Sequence, residues 1–163
     1  MAETVHLYLR ANGEEIQGES SQTSLGRANS IECIFYRDSV RTAREVGSGL
    51  ATGRRAYEPT VILKRIDKAT PLIAKALRGN QQIDGTFKFF RPSPTGDGTT
   101  EHFFTVEIGE GRVAFIERES PNVFDPAAAN EPPLERVGFV FHTVTWTYEP
   151  GGQSDVDNWR EGS

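Results

Sequence analysis

Residues 55–80 read RAYEPTVILKRIDKATPLIAKALRGN, a strand that runs almost directly into the chain's one convincing helix. Thr60, Val61, Ile62 and Leu63, followed by Lys64, Arg65 and Ile66, predict a strand that starts apolar on both faces and is therefore covered on both sides. Thr70 supplies an oxygen to cap free amide groups, and Pro71 at the first helical position gives up only a donor that would have no partner there. Leu72, Ile73, Ala76 and Leu77 fall at helical spacing and form one narrow apolar face. Gly79 predicts a left-handed stop, with Arg78 beside the negative end of the helix dipole. A single short amphipathic helix must bury that face on something, and the rest of the chain reads as β-strand.

On the N-terminal side, residues 5–11 alternate cleanly, with Val5, Leu7, Leu9 and Ala11 on one face and His6, Tyr8 and Arg10 on the other. Asn12-Gly13 is a turn pair, because both residues tolerate positive φ, and Glu15-Ile16-Gln17 is a short return strand. Residues 19–29 are polar and serine-rich, a loop; residues 31–36 form the next strand, extending toward Val40. On the C-terminal side, residues 82–91 predict a strand with Ile83, Phe87 and Phe89 on one face and Phe90 on the other. The breaker-rich run 92–98 turns the chain into residues 101–108, and Gly109-Glu110-Gly111 turns it again into 112–119, an antiparallel meander. The proline-rich segment 120–133 is a long loop. The final strand, 134–148, sets Val140, His142, Val144, Trp146 and Tyr148 against Phe139, Phe141 and the row Thr143, Thr145, Thr147. Gly151-Gly152 ends the ordered part, leaving residues 153–163 as a polar tail on a single domain spanning 1–152. With no alternation of strand and helix, about seven to eight strands close naturally as an antiparallel β-barrel with one flanking α-helix.

Composition narrows the function. A chain of 163 residues fits one domain, and ten Phe, four Tyr and two Trp favour β-structure. The net charge of -5 argues against a strong nucleic-acid binder. Cys33 is the sole cysteine, so there is no disulfide framework, and its place in a predicted strand makes it a small buried hydrophobe. The N-terminus lacks a basic region followed by an apolar run, and no stretch is apolar for long enough to insert in a membrane.

One segment stands apart. Residues 37–55, RDSVRTAREVGSGLATGRR, carry five arginines, three glycines and few large apolar side chains. So long a loop in a compact domain is commonly functional. Either it is a plain surface loop or it is an ordered arm that docks on a neighbour, its guanidinium forks suited to carboxylates. Catalytic patterns are missing. His6, His102 and His142 lie singly in separate strands, there is no cysteine pair or dense aspartate cluster for a metal, and no Gly-x-Ser-x-Gly elbow. The glycines at 47–53 open no helix, so they make no phosphate loop. No enzyme, cofactor or metal is expected.

Leu7-Tyr8-Leu9 followed by Ile16-Gln17-Gly18-Glu19-Ser20 resembles the opening of the Hcp (haemolysin-coregulated protein) family. The run Lys64-Arg65-Ile66-Asp67-Lys68-Ala69-Thr70-Pro71 is similar to that family's signature before its helix, and Phe139-Val140-Phe141 with Val144, Trp146 and Tyr148 resembles its last strand. The resemblance spans nearly the whole chain. It implies a structural subunit of the type VI secretion inner tube: homohexameric rings that stack inside a contractile sheath, carry a spike at the tip, hold effector proteins in the lumen and are expelled by sheath contraction. It implies residence in the bacterial cytoplasm before firing and secretion afterwards without a signal peptide. In that frame Arg41, Arg44, Val46, Leu50 and Arg54 are the expected ring-stacking groups, and Thr143, Thr145 and Thr147 an expected lumen or inter-subunit face. The rival readings are a β-barrel ligand binder or enzyme with a site assembled in space, and a subunit of the phage-tail-tube kind.

Overall fold

The computed structural model describes residues 3–159. In chain order it contains β1 (Thr4–Ala11), β2 (Glu14–Ile16), a single 3-10 turn (Ser24–Gly26), β3 (Ile31–Cys33), β4 (Phe35–Arg37), β5 (Val40–Arg44), β6 (Ala51–Tyr57) and β7 (Thr60–Arg65). There follow α1 (Ala69–Arg78), β8 (Ile83–Pro92), β9 (Thr100–Glu119), β10 (Leu134–Val140), β11 (Thr143–Tyr148) and β12 (Gln153–Asn158). The protein is mainly β, with antiparallel pairing throughout and one α-helix among the described residues. Among the described residues there are twelve strands rather than seven or eight, because two predicted strands are broken, two are merged into β9, and three (β5, β6 and β12) lie where a loop and a tail were expected.

The main sheet runs β2-β1-β8-β9-β10-β7-β4. At one end of that path β3 pairs with β1 (Leu7 opposite Ile31), and at the other β4 pairs with β7 (Tyr36 opposite Ile62). Ile34 alone separates β3 from β4, and its amide donates to the Leu63 carbonyl at 2.7 Å. The enclosed side is packed with Leu7, Leu9, Ile31, Ile62, Ile83, Phe87, Val137 and Phe139, all at most 1% exposed. The alternation read along β1 and β8 is what places Leu7, Leu9, Ile83 and Phe87 inside.

β7 is covered on one side only. Thr60, Ile62 and Lys64 point inward, at most 1% exposed, while Val61 and Leu63 are half-buried. The inward row therefore ends on a lysine. Lys64 Nζ lies 2.6 Å from Glu135 Oε1 and 2.9 Å from Asp67 Oδ1, and donates to the Thr70 hydroxyl at 3.1 Å. Arg118 approaches the other Glu135 oxygen at 3.0 Å. Burial pushes the Glu135 carboxyl up, but the bonds from Lys64, Arg118 and Thr70 outweigh it and hold the group below the ordinary carboxylate range.

Thr70 is not the helix cap. The helix begins one residue earlier, and the Thr70 hydroxyl accepts from the Asp67 amide while donating to Glu135. Asp67 takes the capping role instead, Oδ1 accepting from the Ala69 amide at 3.0 Å. The buried helix face is Ala69, Ile73 and Ala76; Leu72 and Leu77 stand outward at 43% and 37% exposure. Gly79 keeps negative φ (-88°), and Asn80 enters the left-handed region (φ 49°) to stop the helix.

Two other breaks re-aim side chains. The chain does not turn back at Gly109-Glu110-Gly111. β9 runs through it as one strand of 20 residues, bent where Glu110 takes φ 51°. Its first half pairs with β8 and β11, its second with β10. The last predicted strand is interrupted between Val140 and Thr143, so inside and outside exchange parity. Phe139, Phe141 and Val144 are buried, and Val140 faces out. The ordered chain also continues past Gly152, whose φ of 73° closes a turn into β12. Residues 153–158 of the predicted tail are thus a strand paired to β11, and residues 160–163 lie outside the described residues.

Candidate functional site

The arginine-rich segment is an ordered hairpin rather than a loop. β5 and β6 pair only with each other, Val40 opposite Tyr57 and Thr42 opposite Arg55, with an irregularity before Arg44 meets Ala51. Small residues (Thr42, Ala43, Ala51, Thr52, Gly53) let the strands lie together without a core, which is why no hydrophobic alternation marks them. The tip closes through Glu45 N–H to the Leu50 carbonyl (2.8 Å) and Gly49 N–H to the Glu45 carbonyl (2.9 Å), with Gly49 at φ 75°.

All five residues singled out in the sequence sit on this hairpin. Arg41 and Arg44 lie on β5, Val46 and Leu50 at the tip and Arg54 on β6, and all are exposed. Val46 is fully exposed and Leu50 is 65% exposed. Arg41 Nη2 pairs with Glu58 at 2.6 Å, and Arg44 donates to the Gly49 carbonyl at 3.2 Å. The nearby Ser39 hydroxyl, and after it the Arg41 charge, hold Glu58 below the ordinary carboxylate range.

The root of the hairpin is anchored. Asp157 on β12 accepts from Arg55 Nε and Nη2, both at 2.7 Å, and from the Tyr57 hydroxyl at 2.5 Å. Burial, then the neighbouring Asp157, pushes the Tyr57 hydroxyl up to about 12. Tyr57 also sits among Phe141, Trp146 and Trp159, with ring centroids 5.4, 6.3 and 5.4 Å away. Asp157 escapes sequence reading because its strand, QSDVDN, has almost no apolar alternation. The Pro150-Gly151-Gly152 turn immediately after a strong strand was the available signal for a returning partner.

The threonine row is only partly gathered. Thr143 and Thr145 line a shallow trough of about 650 Å³ formed by residues of β1, β2, β8, β9 and β11. Thr147 lies beyond it, its hydroxyl 3.3 Å from Ser154 of β12. The trough mixes both signs of charge, with Arg10, Glu15, Asp84, Lys88 and Glu107, and Lys88 Nζ rests 4.7 Å from the centre of the Tyr8 ring. Such a surface is wetted and polar, with no gathered nucleophile and base.

The remaining single residues are structural. Cys33 is buried, and desolvation pushes its thiol well above the ordinary range, so it is unreactive. His6 is fully buried, its Nδ1 3.0 Å from the Ser30 hydroxyl and its ring edge-on to Phe90. Among the described residues no helix is long and apolar enough to cross a membrane.

Residues 8–148 match the family model described as type VI secretion system effector, Hcp. The "Major exported protein" of Pseudomonas aeruginosa is 34% identical over 136 residues, covering 83% of this chain and 78% of that protein. Among solved structures, an Hcp protein superposes with a TM-score of 0.85 at 23% identity, covering 99% of this chain and 100% of that one. A variant of Hcp1 from E. coli EAEC 042 gives 0.81 at 24% identity, covering 97% and 99%, and the secreted protein Hcp3 from Pseudomonas aeruginosa gives 0.73 at 21%, covering 98% and 100%. At these identities the superpositions speak for the fold; the family model and the 34% identical relative speak for kinship. The family consists of structural, secreted tube proteins rather than enzymes. The chain therefore belongs to the Hcp family and is a type VI secretion tube protein.

Proposed function

We propose that this subunit closes its sheet into a barrel through the β3–β4 bend, assembles as a homohexameric ring, and stacks ring on ring into the inner tube. The tube waits in the bacterial cytoplasm within the contractile sheath, bears a spike at its tip, carries effector proteins in its lumen and is expelled when the sheath contracts. Residues 1–152 and strand β12 act as one domain in this reading. The observation that carries it, beside family membership, is the exposed arginine hairpin standing off the main sheet and fixed at its root by Asp157. Arg41, Arg44, Val46, Leu50 and Arg54 make the contact between rings. Thr143 and Thr145, with the trough they line, face the lumen or a neighbouring subunit, and Thr147 belongs to the same face.

Isologous contacts close on themselves, whereas a tube needs a heterologous contact that repeats. A hairpin on one end of the subunit meets that need. Charge reversal at both Arg41 and Arg44 tests it: rings persist in size-exclusion chromatography while stacked rings vanish from electron micrographs. Undiminished stacking in the double variant overturns the assignment of the hairpin.

A further inference from the structure

The hairpin leaves open what receives it. The two ends of β7 answer geometrically. Thr60 follows the hairpin after two linking residues and pairs with Phe139, while Arg65 at the other end pairs with Leu134, the first residue after the loop 120–133. At about 3.3 Å per residue the two sites stand roughly 17 Å apart along the strand. The hairpin root and the loop therefore lie at opposite ends of the same pair of strands, the arrangement a repeating head-to-tail contact requires.

Against that loop lies a groove of about 430 Å³. Its apolar lining includes Leu63, Pro132 and Leu134. Its polar lining is Glu117, Glu119, Asp125 and Glu131 with Asn122, and the single cation is Arg136, which is partly engaged over the Phe35 ring at 5.7 Å. The loop beside it exposes Phe124 (93%) and Val123 (64%), which no core packing explains. The hairpin is the complement in both respects. Its tip presents Val46 and Leu50. Of the four arginines on its strands, Arg41 is paired with Glu58 and Arg55 with Asp157 at the root, while Arg44, next to the tip, meets a backbone carbonyl rather than a carboxylate. A chain that is acidic overall thus concentrates cations on one end and carboxylates around an apolar groove on the other.

We infer that the groove formed by residues 117–136 is the receptor for the hairpin of a second copy of this chain, Val46 and Leu50 entering its apolar floor and Arg44 facing its carboxylates. The inference rests on the reading that rings stack through the hairpin and adds the surface that accepts it.

A cysteine pair tests the seat. Val46→Cys combined with Ala128→Cys places one thiol at the tip and one in the groove, in a chain whose native Cys33 is buried. Mild oxidation is expected to give covalent ladders beyond the dimer on non-reducing gels, because each subunit links to one above and one below; either single variant stops at dimers. Stacked rings in micrographs without a ladder overturn the groove and leave stacking standing. Absence of stacked rings in wild type at high protein concentration and low salt overturns stacking, and the groove with it. A second arm guards against poor folding of the pair: Glu119→Arg with Glu131→Arg lowers the count of stacked rings about tenfold, and adding Arg44→Glu restores part of it. No loss in that variant, or no recovery, contradicts the pairing.

Discussion

The Asp157 carboxylate holds the Arg55 guanidinium in a two-point grip, Oδ2 to Nε and Oδ1 to Nη2, both at 2.7 Å. The two residues are 102 apart in sequence. The bond joins the last strand of the fold to the root of the hairpin, so β12 sets how the hairpin is held. A planar guanidinium fork bound at two points fixes direction as well as distance.

Removing the carboxylate should loosen the hairpin while leaving the main sheet intact. In Asp157→Ala, tryptic cleavage at Arg41, Arg44 and Arg54 should accelerate roughly tenfold, because local opening no longer breaks two charge-assisted bonds. Ring formation should persist and stacking should fall. The clasp has a defined acid limit. The bond from Arg55 holds the Asp157 carboxyl below its ordinary 3.8, so the stabilisation is present above that value and is lost only as pH falls through the lower folded value. Cleavage of wild type at pH 5 and pH 7, each expressed relative to trypsin's rate on an unstructured arginine peptide at the same pH, should therefore match; a hairpin relatively more open at pH 5 would contradict the clasp.

The Lys64–Glu135 pair tests the interior. Both side chains are 1% exposed and 2.6 Å apart. Breaking a buried pair by removing one partner strands a charge, at a cost of about 3–5 kcal/mol. Glu135→Gln should lower stability by that order in urea unfolding, and Lys64→Met should do the same by leaving the buried Glu135 with only Arg118 and the Thr70 hydroxyl. The double variant Lys64→Met, Glu135→Leu should lose less than either single, since no buried charge of the pair remains. Additive losses would mean that the pair does not act as a unit.

His6 gives the fold a mild acid sensitivity. Burial, reinforced by the Arg27 charge, lowers its pKa from 6.5 to about 4. Its folded value lies below the unfolded one, so the unfolded chain binds the extra proton first, and stability falls as pH drops from about 6.5 toward 4. The slope approaches roughly 1.4 kcal/mol per pH unit for one proton. His6→Phe keeps an edge-on ring for Phe90 and leaves Ser30 donating to the Arg27 carbonyl at 2.7 Å. Urea midpoints of the variant should change less between pH 7 and pH 5 than those of wild type. Equal changes in both proteins would assign the acid sensitivity elsewhere.

Elements with one apolar side were legible in the sequence. Leu7, Leu9 and Ala11 on β1, and Ile83 and Phe87 on β8, alternate with polar residues, and the structure buries them. The helix was legible in type and its boundaries to within two residues, but not in its buried face, because Leu72 and Leu77 are as apolar as Ile73 and only packing decides which turns inward. β5, β6 and β12 were not legible as strands: they bury almost nothing, so no periodicity records them. The parity switch between Val140 and Thr143 and the bend at Glu110 are tertiary effects, with Phe141 and Val144 both drawn inward against local alternation. Lys64 was hidden for another reason. Its charge reads as solvent-facing until Glu135, 71 residues later, supplies a partner. At the hairpin, the composition marked the segment and the family resemblance named its residues, while the strand pairing and the Asp157 clasp emerged only from the fold.

Light scattering coupled to size-exclusion chromatography tests the ring most directly. A ring-forming tube subunit should elute as a species of about six times the 18.1 kDa chain mass, with larger stacked species growing as protein concentration rises. A stable monomer of 18.1 kDa at every concentration would contradict it.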